Sequence, residues 1–210
     1  MSEPITSDAK ERVLNVAEQL FSERGYKSVT LRDIATALQI KHASLYHHVS
    51  SKEALFIEVM ERSFRRHQAG LETAIHSAGA DIEGQLQAAA RWLLAQPLLD
   101  LGRMMNSDMT AIDEAHAHRL SFTAYESVLM PIAHVFRRAA EAGSIRPIDP
   151  PMLGGAILAF VESVHTQRLP LSVYDGDRGV VVDALIDVML NGLRLPPPAT
   201  PASVTSTREN

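Results

Sequence analysis

Between Arg24 and Lys52 the chain gathers five basic residues, Arg24, Lys27, Arg32, Lys41 and Lys52, against the single acid Asp33. Hydroxyls, small residues, imidazoles and a phenol are interleaved with them, and Thr30 to Leu55 reads TLRDIATALQIKHASLYHHVSSKEAL. These side-chain types suit one task above others. Ammonium and guanidinium groups neutralise phosphates, while small polar and aromatic groups reach base edges and sugars. The whole chain has a formal net charge of -5, so any attraction to a polyanion is a local property of this segment. No other chemistry competes well. The absence of cysteine excludes thiolate catalysis, disulfides and Cys-based zinc sites. No glycine-rich phosphate loop or nucleophile motif occurs, so neither a cofactor nor catalysis is expected. Glu114 and His118 stand four apart, and Asp113 and His116 three apart; such pairs can ligate a metal. They are also common on solvated helix faces, and with no third ligand in view no metal site is expected.

The elements that must position the basic segment are legible from spacing. Residues 1–7, with Pro4, read as a loose arm, and a first helix is expected from about Asp8 to Arg24, ended by Gly25. Val13, Val16, Ala17, Leu20 and Phe21 give it one apolar stripe. Thr30 opens a second helix with Asp33 at capping-box spacing, and Leu31, Ile34, Ala35 and Leu38 form its inward face. Ile40 falls in a turn, and His42–His48 make a third helix with Leu45 and Val49 inward. Ser50 or Ser51 caps a fourth, expected to run from Lys52 as far as Ser77. Two brief helices across a short turn are the sequence form of a helix-turn-helix, whose second helix enters the major groove of DNA.

These residues also resemble a known family. FSERGY, SVTLRDIATAL and SLYHHV followed by SKEAL, within about residues 10–55, are similar to the DNA-binding domain of the tetracycline-repressor (TetR) family of bacterial regulators. The resemblance implies roles by position. Thr30 and Arg32 would hold phosphate at the start of the second helix. Lys41, His42, Ala43 and Ser44 would stand where the reading helix meets base edges, Ala43 being small enough to let it sink into the groove. Tyr46 and His47 would reach the sugar-phosphate backbone, and Lys52 a phosphate beside the fourth helix's N-terminal dipole. Two positions depart from the family pattern. Gln39 replaces the usual glycine and must adopt a left-handed backbone. Lys41 replaces the usual polar cap.

Beyond residue 53 the pattern is helical throughout, with helices expected near 81–95, 98–106, 110–142, 150–168 and 178–194 and a kink at Pro131. The fold class expected is all-α, an amino-terminal helix-turn-helix domain (8–52) joined to a larger ligand-binding and dimerisation domain (53–195). Pro170 marks a break, and the Pro- and Ser/Thr-rich residues 196–210 read as a disordered tail. In GVVVDALIDVMLNGLRL the polar residues Asp183, Asp187, Asn191 and Arg194 form one narrow strip, and apolar residues cover the rest. MLGGAILAFVESV has the same excess, with Gly154–Gly155 allowing close helix approach. Helices apolar over most of their circumference bury more than one face. A homodimer through 150–168 and 178–194 is therefore expected, and two reading heads suit a palindromic operator in double-stranded DNA. Trp92, Met104, Met105, Phe122, Tyr125, Phe160 and His165 are candidate contacts for a small-molecule inducer, although plain core is the better reading of each taken singly. No apolar run approaches the roughly 20 residues of a membrane span, and a cytoplasmic location is expected. The rival expectations are a helical small-molecule carrier or enzyme without DNA affinity, and a helical adaptor for another protein.

Overall fold

The computed structural model describes residues 7–97, 101–166 and 177–195. The expected amino-terminal arm, apart from Ser7, the break at Pro170 and the tail over 196–210 lie outside them. Within the described residues the chain is all helical, with no strand beyond an isolated bridge between Ile145 and Arg194.

α1 (Ser7–Arg24) ends where Gly25 takes a φ of 78° and its N–H bonds the Phe21 carbonyl at 2.9 Å. α2 (Leu31–Ala37) starts on the expected capping box. The Asp33 N–H donates to the Thr30 hydroxyl oxygen at 3.2 Å, and the Thr30 N–H donates to the Asp33 carboxylate at 2.8 Å. It stops on a pair of reversed bonds, Ile40 N–H to the Ala35 carbonyl and Gln39 N–H to the Thr36 carbonyl, both 3.0 Å. That geometry needs a left-handed residue between them, and Gln39 supplies it with a φ of 58°. α3 (His42–Leu45) is shorter than its spacing predicts. After Leu45 the backbone tightens, with His47 N–H bonding Ser44 and His48 N–H bonding Leu45 three residues back. Ser51 caps α4 (Lys52–Ser77), a 26-residue rod of about 39 Å.

The remaining elements are α5 (Ile82–Leu94), α6 (Leu101–Arg103), α7 (Glu114–Ala124), α8 (Met130–Glu141), α9 (Pro150–His165) and α10 (Arg178–Leu193). α6 is a single turn that widens into a π turn over Met104–Asp108 and tightens again over Met109–Ala111. The stretch expected as one helix over 110–142 is two. Ile112 is extended, and the Asp113 carboxylate caps the N–H groups of Ala115 and His116 at 3.0 and 3.3 Å, so α7 begins only at Glu114. The kink expected at Pro131 takes the form of a second π turn, Tyr125–Leu129. Pro131 has no N–H, and its ring crowds the carbonyl four residues back, which the wider turn relieves.

One continuous core runs along α4. Phe21, Ile34, Leu45, Leu55 and Phe56 fill its amino-terminal part, and Phe64, Leu71, Leu86, Leu120, Phe136, Ile157 and Ile186 the rest. α1 is strapped to α4 by polar ties: Arg62 reaches Glu11 and Glu18, both at 2.7 Å, and Arg66 reaches Glu18 at 2.6 Å. α5 lies so close to α4 that Trp92 rests on Gly70, where an added Cβ would stand 1.9 Å from the indole. The Gly154–Gly155 pair divides its work. A Cβ on Gly154 would meet the α8 backbone at 3.3 Å, whereas Gly155 faces open space. The polar strip of α10 also turns inward at both ends. Arg91 of α5 pairs with Asp183, and Arg194 pairs with Glu83 of α5 at 2.9 Å.

Two outcomes follow from this packing. Gly70→Ala gains about 1 kcal/mol of helix propensity, but the indole must move bodily, and overpacking of this kind costs about 1–3 kcal/mol. A net loss of stability is expected in urea unfolding followed through Trp92 fluorescence. The second concerns acid. Asp33 is held below the usual carboxylate range by hydrogen bonds from the Thr30 hydroxyl and backbone N–H. The unfolded chain thus binds this proton more readily than the folded one. The stabilisation is complete above the ordinary carboxylate range and disappears as pH falls through the lowered folded value. Unfolding midpoints measured against pH are expected to lose that component in Asp33→Asn.

Candidate nucleic-acid interface

The candidate reading surface is built by the turn between α2 and α3. The left-handed Gln39 reverses the chain within four residues, and Leu45, fully buried, pins α3 to the core. Lys41, His42, Ala43, Tyr46 and His47 are thereby left exposed on one outward surface, with Ser44 half-buried between them. Tyr46 is 53% exposed and meets the His42 ring edge-on at 5.2 Å. Lys41 precedes α3 without a side-chain cap bond. From Ile34 to Lys52 the sequence has no acid.

At the flank, Arg32 is exposed on the first turn of α2. The Thr30 hydroxyl is less free than its type suggests, because it donates to the Asp33 carboxylate at 2.7 Å while accepting from the Asp33 N–H. Any phosphate there meets Thr30 as part of a closed cap. Lys52 is half-buried, its Nζ 4.1 Å above the centre of the Tyr26 ring. Burial lowers its affinity for the proton, opposed by the charges of Asp108 and Asp33.

Tyr26 and the residues behind it are what the sequence reading missed. Its ring packs on Phe56 at 4.7 Å and on Phe21 at 6.0 Å. Its N–H donates to the buried Asp108 carboxylate at 3.0 Å. From the same π turn segment, Arg103 donates to the carbonyls of Phe21 and Ser22 at 3.1 and 2.7 Å, closing the C-terminal end of α1. Lys27 reaches the Thr110 hydroxyl at 3.5 Å. The signal for Tyr26 was present in the GY pair after α1, but nothing in the spacing linked it to a residue more than 80 positions away.

The candidate inducer contacts do not share one cavity. Met104 lines a cavity of about 40 Å³ between α1, α4 and α6, together with Phe56, Met60, Arg103 and Asp108; this holds a water or two. Met105, Phe122 and Tyr125 are exposed, whereas Trp92 stands half-buried beside Gly70 with the His67 ring at 5.4 Å. Phe160 and His165 lie half-buried along α9, and burial lowers the His165 imidazole's affinity for a proton, Arg178 adding to the effect. A ligand-sized groove of about 980 Å³ runs instead between α4 and α8, lined by Gln68, Glu72, His76, Met130, His134 and Arg138 among others. Among the described residues no three His, Asp or Glu side chains come together as a metal site. His116 bonds Glu53 at 2.8 Å, away from Glu114 and His118. No helix among the described residues is long and apolar enough to cross a membrane.

Comparison with known proteins agrees with this geometry. Residues 13–59 match the profile of the bacterial regulatory proteins of the tetR family. Over 82 residues the chain is 39% identical to the HTH-type transcriptional repressor KstR2 of Rhodococcus jostii, covering 39% of this chain and 40% of that repressor. The chain thus spans about two fifths of the length of that relative. A putative transcriptional regulator from Saccharomonospora viridis, solved in complex with choline, superposes with a TM-score of 0.70 at 21% identity, covering 91% of this chain and all of the other. AibR, solved with isovaleryl coenzyme A and operator DNA, superposes with a TM-score of 0.67 at 20% identity, covering 85% of this chain and 96% of the other. The helical architecture extends across nearly the whole chain, whereas the sequence likeness is concentrated where the reading surface lies. Through that amino-terminal segment, residues 13–59, the chain is similar to the bacterial regulatory proteins of the tetR family.

Proposed function

We propose that this protein is a homodimeric transcriptional repressor that grips a palindromic operator through paired helix-turn-helix heads and lets go when a small molecule binds its helical body. The observation that carries the reading is the acid-free surface from Ile34 to Lys52, with Lys41, His42, Tyr46 and His47 outward on and after a short helix. On this reading Lys41, His42, Ala43 and Ser44 meet base edges, while Thr30, Arg32, Tyr46, His47 and Lys52 hold the backbone. The heads are residues 8–52, and the body is 53–195. A repressor among the relatives and a neighbour of the same fold bound to operator DNA support the assignment.

The dimer is formed by α9 and α10. Met152, Val180 and Val188 point outward, Val188 being 70% exposed, and the open side of Gly155 leaves room for a facing helix. A two-fold axis there sets the heads about 34–36 Å apart, one turn of the duplex. The inducer binds among the middle helices, where the groove along α4 and α8 offers the volume; Trp92, Met104, Met105, Phe122, Tyr125, Phe160 and His165 do not line that groove and stay candidates for contacts elsewhere in the body. Because α4 runs from the head into this body, a ligand that favours one tilt of α4 favours one head spacing.

Selection from a pool of random palindromic duplexes, followed by titration against salt, tests the reading. Tyr46→Ala is expected to weaken the selected duplex at least tenfold, and Lys52→Ala to lower the slope of log affinity against log salt by about 0.9. Retention of wild-type affinity by both folded variants would contradict the assigned roles. Turnover or tight ligand binding without salt-dependent DNA affinity would favour the carrier or enzyme instead. Val188→Asp places a charge in the proposed interface, and sedimentation is expected to find monomers that bind the duplex far more weakly.

A further inference from the structure

Unlike Lys41 and Arg32, which are exposed, Lys52 is not simply solvated. It leaves the first turn of α4, lies half-buried and puts its ammonium 4.1 Å above the Tyr26 ring. A cation over the face of an aromatic ring is attracted by the ring's quadrupole. An ammonium has three donors; the ring face occupies the side turned toward it, and the N–H groups on the far side stay available to oxygen. Lysine is otherwise a poor choice for a fixed contact, since its four-carbon stem loses much rotamer freedom when it is held. Tyr26 removes that freedom in advance.

The ring itself is fixed from behind. Phe56 and Phe21 wall it at 4.7 and 6.0 Å, and the buried Asp108 carboxylate accepts the Tyr26 N–H at 3.0 Å. Asp108 closes the π turn Met104–Asp108, whose first neighbour Arg103 holds the end of α1. A chain of contacts thus runs from α6 through Asp108 and Tyr26 to the ammonium.

We infer that Tyr26 is a positioning residue for DNA, holding the Lys52 ammonium at the phosphate backbone and tying its place to the π turn of α6. The inference rests on the DNA-binding reading above. It assigns to the GY pair a task distinct from filling the core. A ring that only filled space would be replaceable by any apolar group of similar bulk.

The test is a set of variants titrated with the selected duplex over a range of salt concentrations, with circular dichroism as the folding control. Tyr26→Phe keeps the ring face and is expected to stay within twofold of wild type. Tyr26→Leu keeps bulk without the ring face and is expected to lose three- to tenfold in affinity. Its salt slope should fall toward that of Lys52→Met, up to about 0.9 shallower than wild type. The double variant Tyr26→Leu/Lys52→Met is expected to bind no more weakly than Lys52→Met alone, since the ring acts only through the lysine. Should Tyr26→Leu fail to fold, a ring-fluorinated phenylalanine at position 26 keeps the shape and drains the ring face, and the same loss is expected. Wild-type affinity in the ring-free or fluorinated protein would overturn the inference, and so would additive losses in the double variant. Those outcomes leave the DNA reading intact. Failure of the wild-type protein to bind any duplex at low salt would remove both.

Discussion

The attitude of the amino-terminal helices depends on how α1 is held, and paired charges fix its direction beyond what its buried stripe of Val13, Leu14, Ala17, Leu20 and Phe21 provides. Arg62 and Arg66 stand four apart on α4 and converge on Glu18, which lies partly buried between the helices. Burial alone would push this carboxyl toward its neutral form. The two guanidiniums outweigh that effect and keep its proton affinity below the ordinary carboxylate value. A charge that is buried and paired is directional in a way an apolar contact is not. Losing one partner leaves the other stranded, so the geometry has few soft alternatives.

On its other side α1 meets α6, again through polar atoms. Arg103 caps the last carbonyls of α1, and Asp108 takes the N–H just beyond Gly25. Between these two sets of ties lies the cavity of about 40 Å³, lined by Phe21, Phe56, Met60 and Met104. Side chains around a void lack partners on one side and forgo part of their dispersion attraction. The seam between α1 and α6 is therefore incompletely filled and dependent on oriented bonds. α6 reinforces this, since a single helical turn that widens and then narrows has little helical hydrogen bonding of its own to resist a shift.

Local features of this fold were readable in the chain, and distant ones were not. The capping box of Thr30 and Asp33, the left-handed Gln39, the Ser51 cap of α4 and the inward stripes of α1 and α2 are short-range consequences of side-chain chemistry, and a window of a few residues contains all of them. Pro131 was legible as a break, but not as a π turn, because the accommodation depends on how α7 packs. The start of α7 went unseen since Asp113 reads as one more acid on a polar face until Ile112 is known to be extended. At the site, the outward positions of Lys41, His42, Ala43, Tyr46 and His47 follow from burying Leu45, which periodicity supplies. Tyr26 over Lys52, and Asp108 behind Tyr26, follow from packing between segments 26 and 82 residues apart. No pattern within one segment encodes such a meeting. The Trp92–Gly70 contact is hidden for the same reason.

An acidic chain can still present a basic face if its nearby acids are spoken for, and here each of them is. Asp33 accepts from both the N–H and the hydroxyl of Thr30. Glu53, next to Lys52, is taken by His116 at 2.8 Å and by the Asp113 N–H at 3.2 Å, which draws it toward α7. Asp108 is buried behind Tyr26 with Arg103 alongside. A carboxylate that accepts bonds from fixed donors projects less field into solvent than a free one, and turning its oxygens inward increases the distance to any approaching phosphate. Lys41 and Arg32 are exposed by contrast, and neither sits beside an uncommitted acid in sequence. The sign of the potential over α3 is thus set by how the acids are hydrogen-bonded as much as by how many bases are present. This is why the formal net charge of -5 says little about what this face attracts.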